Sequence, residues 1–120
     1  MPLIKFHYSH RLEKSEFDLL SKSLSKSISS ILNKSEDYIM IIFQFSDFQS
    51  FGTCSDSPSA FLEFKNVGIF PPEVTSLLSA VITKLLVESL GLCKRRVYID
   101  FQNSERHLWG WNADTFATGQ

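Results

Sequence analysis

The segments Tyr38-Ile39-Met40-Ile41 and Val97-Tyr98-Ile99-Asp100 decide how this chain folds. Both are rich in β-branched and aromatic residues, which is typical of strands. Each follows a candidate helix that ends near a lysine, and the two segments lie roughly 60 residues apart. Because the pattern before each segment is also similar, the spacing indicates an internal duplication of one strand–helix–strand unit.

The first unit covers about residues 2–48. A strand is predicted over Pro2–Tyr8, because its apolar and aromatic residues alternate. Ser15-Glu16-Phe17-Asp18 is typical of a capping box, and apolar residues then recur at steps of three and four as far as Leu32. This spacing predicts an amphipathic helix. The second strand is predicted over Tyr38–Phe45 and is expected to be mostly buried.

The second unit covers about residues 60–103. It begins with a strand predicted over Ala60–Val67. A helix is predicted to start at Pro71-Pro72-Glu73, because proline is favoured in a first turn, and to end at Gly91, which suits a C-cap. The last strand is predicted over Val97–Gln102.

The 120 residues are expected to form a single domain, with residues 46–58 as a loop and residues 104–120 as an irregular tail. A duplicated split β-α-β unit predicts an α+β fold with a four-stranded sheet and two helices on one face. The opposite face of that sheet would be bare, and another subunit is its natural cover. The eleven phenylalanines fit such an interface, and they fit an aromatic core equally well.

The composition argues against several classes of function. The formal net charge of −1 gives no electrostatic reason to expect binding to nucleic acid or to an anionic membrane. Cys54 and Cys93 are far apart and in no Cys-x-x-Cys spacing, which excludes a disulfide framework and a zinc knuckle. His7, His10 and His107 show no metal-ligand spacing, so we expect surface or loop positions for them and no metal site.

The N-terminal segment lacks the apolar core of a signal peptide, because Lys5, His7, His10 and Arg11 interrupt it. No apolar run is long enough to cross a bilayer. We therefore expect a cytoplasmic location, with secretion without a signal peptide as the alternative.

Pro2, directly after the initiator methionine, is the first candidate for chemistry. Methionine aminopeptidase generally removes Met1 before a small residue, and the new terminus would be a secondary amine. A terminal amino group has a pKa of about 7.7–8.0, and burial lowers it by disfavouring the charged form. An amine that is neutral near pH 7 is a competent general base. The alternative is an ordinary start to the chain, with an inert terminus.

Several segments recur in the order and spacing of a known family. They are Met1-Pro2-Leu3-Ile4, Asn33-Lys34, Tyr38-Ile39-Met40, Phe51-Gly52, Val67-Gly68, Arg96-Val97-Tyr98-Ile99 and Gly110-Trp111-Asn112-Ala113-Asp114-Thr115-Phe116. Over its length to about Ala117, the chain resembles the macrophage migration inhibitory factor family of the tautomerase superfamily. The initial Met-Pro and the Gly-Trp-Asn-x-x-Thr-Phe tail are specific in combination, although each alone is weak.

The resemblance implies a homotrimer whose three sheets form a barrel with the helices outside, and pockets that lie between subunits. It also implies cofactor-independent keto–enol tautomerisation of small aromatic keto acids and dopachrome-like compounds. A second function from the same family is that of a cytokine-like ligand read by a protein receptor. A third is a plain β-α-β interaction module without chemistry. The residues favour the first over the third and do not separate the first from the second.

By resemblance, Pro2 matches the family's catalytic base and Lys34 its contact to the substrate carboxylate. The other matched positions line the pocket: Asn66 and Val67 on the wall, Tyr98 and Asp100 from the adjacent subunit, and Trp111 and Phe116 on the aromatic rim. Four of these positions also have a structural interpretation. Lys34 suits the C-terminal end of a helix, Tyr98 a core position, and the two tail aromatics packing of the tail.

Two departures from the mammalian pattern carry expectations. Asp100 replaces an asparagine, so a carboxylate that faces the pocket would raise the pKa of the Pro2 amine and repel an anionic keto acid. Ser59-Ala60-Phe61-Leu62 replaces a Cys-x-x-Cys, so thiol–disulfide activity is not expected.

Overall fold

The computed structural model describes residues 1–118. Two strand–helix–strand units follow one another and are succeeded by a short hairpin. The elements are β1 (Leu3–Tyr8), α1 (Lys14–Leu32), β2 (Met40–Phe45), β3 (Ala60–Val67), α2 (Pro72–Leu90), β4 (Val97–Ser104), β5 (Gly110–Trp111) and β6 (Asp114–Thr115).

The main sheet has four strands in the order β2-β1-β3-β4. Within each unit the two strands are parallel, with Leu3 opposite Met40 in the first and Ala60 opposite Val97 in the second. The units are joined by the antiparallel pair of β1 and β3. The predicted α+β fold, a duplicated split β-α-β with both helices on one face, is therefore confirmed.

The core lies between the sheet and the two helices. Along β1 the side chains of Ile4, Phe6 and Tyr8 are buried, and the residues between them face the other way. Leu62 and Phe64 continue the same face on β3. Each helix covers this face of the sheet with one row of buried apolar side chains: Leu20, Leu24 and Ile28 on α1, and Leu78, Ile82 and Leu86 on α2. Period-two strands and period-3.6 helices thus supply one shared core.

The start of α1 differs from the prediction. The N-cap is Glu13, whose backbone N–H donates to Oε1 of Glu16 at 3.0 Å, and Ser15 already lies inside the helix. Glu16 can serve as the third helical residue after Glu13, so the capping box is present two residues earlier than predicted. The end of α2 matches the prediction, because Gly91 adopts φ +70° and donates its N–H to Val87.

The strand β2 starts at Met40 rather than Tyr38. Glu36–Tyr38 form a 3-10 turn that Ser35 caps through its hydroxyl, and Ile39 connects this turn to β2. The expectation that this strand is mostly buried is wrong, because β2 is an edge strand, and Met40 is 59% exposed.

The last strand and the tail are more regular than predicted. β4 continues to Ser104, and the tail contains the β5–β6 hairpin and two 3-10 turns. The expected irregular tail also includes Gly119 and Gln120, which lie outside the described residues.

The sheet face turned away from the helices, called here the open face, is not covered by any other part of residues 1–118. Its central rows are aromatic and charged: Tyr98, Phe61 and His7 in one row, and Asp100, Glu63 and Lys5 in the next. His7, expected at a surface or loop position, lies half-buried on the open face of β1. Its Nε2 lies 2.6 Å from Oε2 of Glu63, and its ring stacks on Phe61. The hydrogen bond from His7 lowers the pKa of the Glu63 carboxyl.

No helix among the described residues is long and apolar enough to cross a membrane. Within residues 1–118, no group of three or more histidine, cysteine, aspartate or glutamate side chains is placed to hold a metal ion.

Candidate active site

The N-terminus is fixed against the sheet. Pro2 is fully buried, and its carbonyl oxygen accepts a hydrogen bond from the N–H of Met40 at 3.1 Å. This bond extends the β1–β2 pairing by one residue beyond the strand. The terminus is therefore held beside the core, unlike the mobile termini that are common in proteins.

Lys34 is placed beside the N-terminus by the way α1 ends. Asn33 takes the left-handed conformation with φ +53°, and the next N–H, that of Lys34, donates to the carbonyl oxygen of Ser29. The Lys34 side chain then crosses to the end of β3. Its Nζ donates to Oδ1 of Asn66 at 3.0 Å and to the carbonyl oxygen of Val67 at 2.8 Å. Three residues predicted to share a pocket are thus in direct contact.

The terminal amine sits in surroundings that favour its neutral form. Burial is the main reason that the pKa of the Met1 amine is lowered from 8.0 to about 5. Lys34 lowers it further through a hydrogen bond and its charge, and the charge of Arg106 adds to this. At neutral pH such an amine carries a free electron pair. The nitrogen of Pro2 is an amide while Met1 is attached, so it could act as a base only after Met1 is removed.

A cavity of about 200 Å³ opens beside the amine. It is lined by Met1, Asp37, Tyr38, Ile39, Met40, Trp109, Trp111 and Phe116. We call it the amine cavity. Trp111 stacks on Phe116 with ring centroids 5.7 Å apart, and Tyr38 meets the edge of Trp111 at 5.2 Å. The two tail aromatics, Trp111 and Phe116, therefore both line the amine cavity, and Phe116, which is only 1% exposed, also anchors the tail.

Tyr98 and Asp100 do not reach the amine cavity of their own chain. Both lie on the open face of β4, where Tyr98 lines a second cavity of about 460 Å³ together with His7, Phe51 and Phe61. Tyr98 is 66% exposed. Oδ2 of Asp100 accepts a hydrogen bond from Gln102 at 2.9 Å. These two positions are accessible to a second copy of the chain.

The sequence of the whole chain is similar to one protein family. The family model described as macrophage migration inhibitory factor matches residues 1–117.

The chain belongs to the macrophage migration inhibitory factor family, within the tautomerase superfamily.

Among its relatives, a macrophage migration inhibitory factor homolog of Trichuris trichiura is 31% identical over 97% of this chain and 100% of that protein. The crystal structure of a homologue from Prochlorococcus marinus superposes with a TM-score of 0.87 at 28% identity, covering 95% of this chain and 98% of that one. The Toxoplasma gondii factor has a TM-score of 0.89 at 24% identity over 95% and 99% of the two chains, which shows a shared fold.

Within this member of the family, the segment Ser59-Ala60-Phe61-Leu62 is buried except at Phe61, which is 38% exposed on the open face. Leu62 is fully buried, and Ser59 is 3% exposed and donates from Oγ to Oε1 of Gln49 at 2.7 Å. The cysteines that do occur, Cys54 and Cys93, are both free thiols.

Apart from Met1, six residues of the amine cavity and its surroundings were not predicted as site residues. Tyr38, Ile39 and Met40 line the cavity but were predicted only as part of a strand. Asp37 and Trp109 line the cavity, and Arg106 acts on the amine through its charge. The aromatic residues around Trp109 could be recognised in the sequence of the tail. Arg106 carried no comparable signal, because a single arginine in a segment predicted to be irregular has no spacing to interpret.

Proposed function

We propose that this protein is a cofactor-independent keto–enol tautomerase of the phenylpyruvate and dopachrome type, with the amine of Pro2 as general base after Met1 is removed. The observation that carries the proposal is the placement of Lys34, which lies against both the N-terminus and the end of β3. A neutral base and a fixed cation are the two groups that proton abstraction next to a carbonyl requires.

In the proposed reaction, Lys34 holds the carboxylate of the keto acid and thereby orients the carbon next to the carbonyl toward the Pro2 nitrogen. The nitrogen takes a proton from that carbon. The electrons of the broken C–H bond form the C=C bond, and the carbonyl electron pair moves to oxygen. Prolinium then returns a proton to this oxygen, which gives the enol and regenerates the base. Family membership and the lowered pKa of the terminal amine support this sequence.

The proposal includes a homotrimer with active sites between subunits. The open face supports it, because aromatic and apolar side chains are left exposed there, among them Met40 at 59% and Tyr98 at 66%. An open face covered by a neighbour would bring Tyr98 and Asp100 toward another chain's amine cavity. A monomeric mass by light scattering at micromolar concentration would contradict this part of the proposal.

The experiment that tests the base compares three forms of the protein: Met1 removed, Met1 retained, and Pro2→Gly with Met1 removed. Intact mass confirms the state of Met1 in each, and tautomerisation of phenylpyruvate is followed by absorbance. The first form should be the most active, and the Met1-retained form should show only background activity. Equal rates in all three would show that the base is elsewhere.

A cytokine-like ligand is the second candidate function. Exposed apolar side chains away from the amine cavity favour a protein contact, notably Phe48 at 96% and Ile69 at 85% exposure. If a receptor response survives Pro2→Gly and is lost with Phe48→Ser or Ile69→Ser, the signalling role does not depend on catalysis.

A further inference from the structure

Arg106 is hydrogen-bonded to residues that line the amine cavity. Its Nε donates to the carbonyl oxygen of Phe116 at 2.7 Å, and its own carbonyl oxygen accepts from the N–H of Trp109 at 3.4 Å. Phe116 in turn donates its N–H to Trp109 at 3.1 Å. Because Trp109 and Phe116 both line the cavity, these bonds attach Arg106, which is not itself a lining residue, to two residues of the cavity wall.

The outer end of this guanidinium is available. Among residues 1–118, Arg106 forms no ion pair and its Nη atoms make no hydrogen bond. Its charge nevertheless acts on the terminal amine, which places it within electrostatic reach of the proposed reaction centre. The planar fork of a guanidinium matches the two oxygens of a carboxylate better than the point charge of a lysine does.

The two cations are held by different parts of the chain, Lys34 by the end of β3 and Arg106 by the tail at Phe116. Lys34 is already engaged beside the amine by Asn66 and Val67, where the reacting carboxylate is expected. A substrate with a single carboxylate would bind Lys34 and would have no second anionic group for another cation to bind. We propose that Arg106 is a specificity-determining residue that binds a second anionic group, so that the preferred substrates are dicarboxylic aromatic keto acids. This inference rests on the proposed tautomerase function.

Asp37 provides an opposing charge. It is the only carboxylate among the described residues that line the amine cavity, and no described cation pairs with it. A carboxylate here repels a dianion more than a monoanion. Removing Asp37 should therefore change selectivity in the direction opposite to removing Arg106.

The test uses phenylpyruvate and 4-carboxyphenylpyruvate, which differ by one carboxylate. In the full-length protein with Met1 removed, Arg106→Gln should lower the ratio of kcat/KM for the dicarboxylate to kcat/KM for phenylpyruvate at least about tenfold. Any effect of the lost charge on the pKa of the base is common to both substrates and cancels in this ratio. Tenfold corresponds to about 1.4 kcal/mol, which is near the low end for a hydrogen bond to a charged group. Arg106→Lys should give an intermediate loss, and Asp37→Asn should raise the ratio of dicarboxylate to monocarboxylate.

A purely structural Arg106 would affect both substrates equally, since loss of the bond to Phe116 would loosen the cavity for either. An equal loss, or no change for the dicarboxylate, would overturn the inference. If circular dichroism shows that Arg106→Gln does not fold, the selectivity of Arg106→Lys tests the inference instead. This variant keeps the positive charge and removes the planar guanidinium fork.

A binding measurement separates this inference from the proposed function. Calorimetry compares 3-phenylpropionate with 4-(2-carboxyethyl)benzoate, neither of which can tautomerise. If wild type turns over neither keto acid, the proposed function fails. Arg106 is still supported if Arg106→Gln weakens the second ligand alone by about tenfold. If both ligands bind the variant and the wild type alike, the second anion site does not exist.

Discussion

Replacing Lys34 with methionine tests the site most fully, because this change removes the charge and keeps most of the side-chain volume. Lys34 donates to Oδ1 of Asn66 at 3.0 Å and to the carbonyl oxygen of Val67 at 2.8 Å. Asn66 is only 2% exposed, so its oxygen would lose a partner in a site where little water is available. An unsatisfied buried group costs about 1–3 kcal/mol, and we expect the free energy of unfolding to fall by that amount.

The catalytic effect of Lys34→Met follows from the lost contact to the substrate carboxylate. A hydrogen bond to a charged group contributes about 1.5–3 kcal/mol. Since each 1.4 kcal/mol changes a rate about tenfold, kcat/KM for phenylpyruvate should fall roughly 10- to 100-fold.

The pH profile should move as well. Lys34 lowers the pKa of the terminal amine, so its removal raises that pKa. The protonated amine is inactive as a base, and the acidic limb of the profile must therefore shift to higher pH. Lys34→Arg should retain part of the activity, because it keeps the charge.

The matched control is Lys84→Met on α2. Its side chain is 75% exposed, and its ion pair with Glu88, at 4.0 Å, is a surface pair worth little. Stability, kcat/KM and the pH profile should all stay close to wild type. If Lys34→Met behaves like Lys84→Met in all three measurements, Lys34 neither supports Asn66 nor contacts substrate, and the reasoning is refuted.

Two further predictions concern the open face and the core. Asp100→Asn should raise kcat/KM for a keto acid and shift the acidic limb to lower pH. The reason is that an Asp100 carboxylate facing the site from a neighbouring subunit, as proposed, would raise the Pro2 pKa and repel an anionic keto acid. An unchanged rate and profile would remove Asp100 from the site. Phe6→Ala should lower the free energy of unfolding, measured in urea, by about 3–5 kcal/mol, because Phe6 is 1% exposed. The control is Phe48→Ala, which should change this free energy little because Phe48 is 96% exposed. Similar values for both variants would contradict the assigned core.

The fold was predictable because its signals are local and repeated. Alternation along β1, the three-and-four spacing of α1 and the glycine at the end of α2 each specify an element without tertiary information. The error at the start of α1 arose because two pairs of residues have capping-box spacing, Glu13 with Glu16 and Ser15 with Asp18, and the first of them forms. The burial of β2 was overestimated because an apolar strand does not reveal that it lies at a sheet edge.

The site was predictable only in part. The contacts of Lys34 with Asn66 and Val67 join residues 32 and 33 positions apart, and residue spacing alone gives no reason to connect them. Family resemblance supplied that connection. The family resemblance did not identify Arg106, because the position of Arg106 relative to the cavity depends on how the tail folds back onto Phe116. The roles of Tyr98 and Asp100 depend on a second chain, so they remain predictions.

The pKa of the Pro2 amine tests the central claim most directly. Protein with Met1 removed and ¹⁵N-labelled proline would be titrated by NMR, and the acidic limb of kcat/KM for phenylpyruvate would be measured in the same buffers. Burial and the charges of Lys34 and Arg106 lower the pKa of the Met1 amine to about 5 and should act in the same direction on Pro2. We therefore predict a Pro2 pKa below about 7, clearly under the ordinary 7.7–8.0 of a terminal amine, and equal to the kinetic pKa. A Pro2 pKa of about 8 or above, or an acidic limb that does not follow the Pro2 titration, would contradict the assignment of this amine as the base.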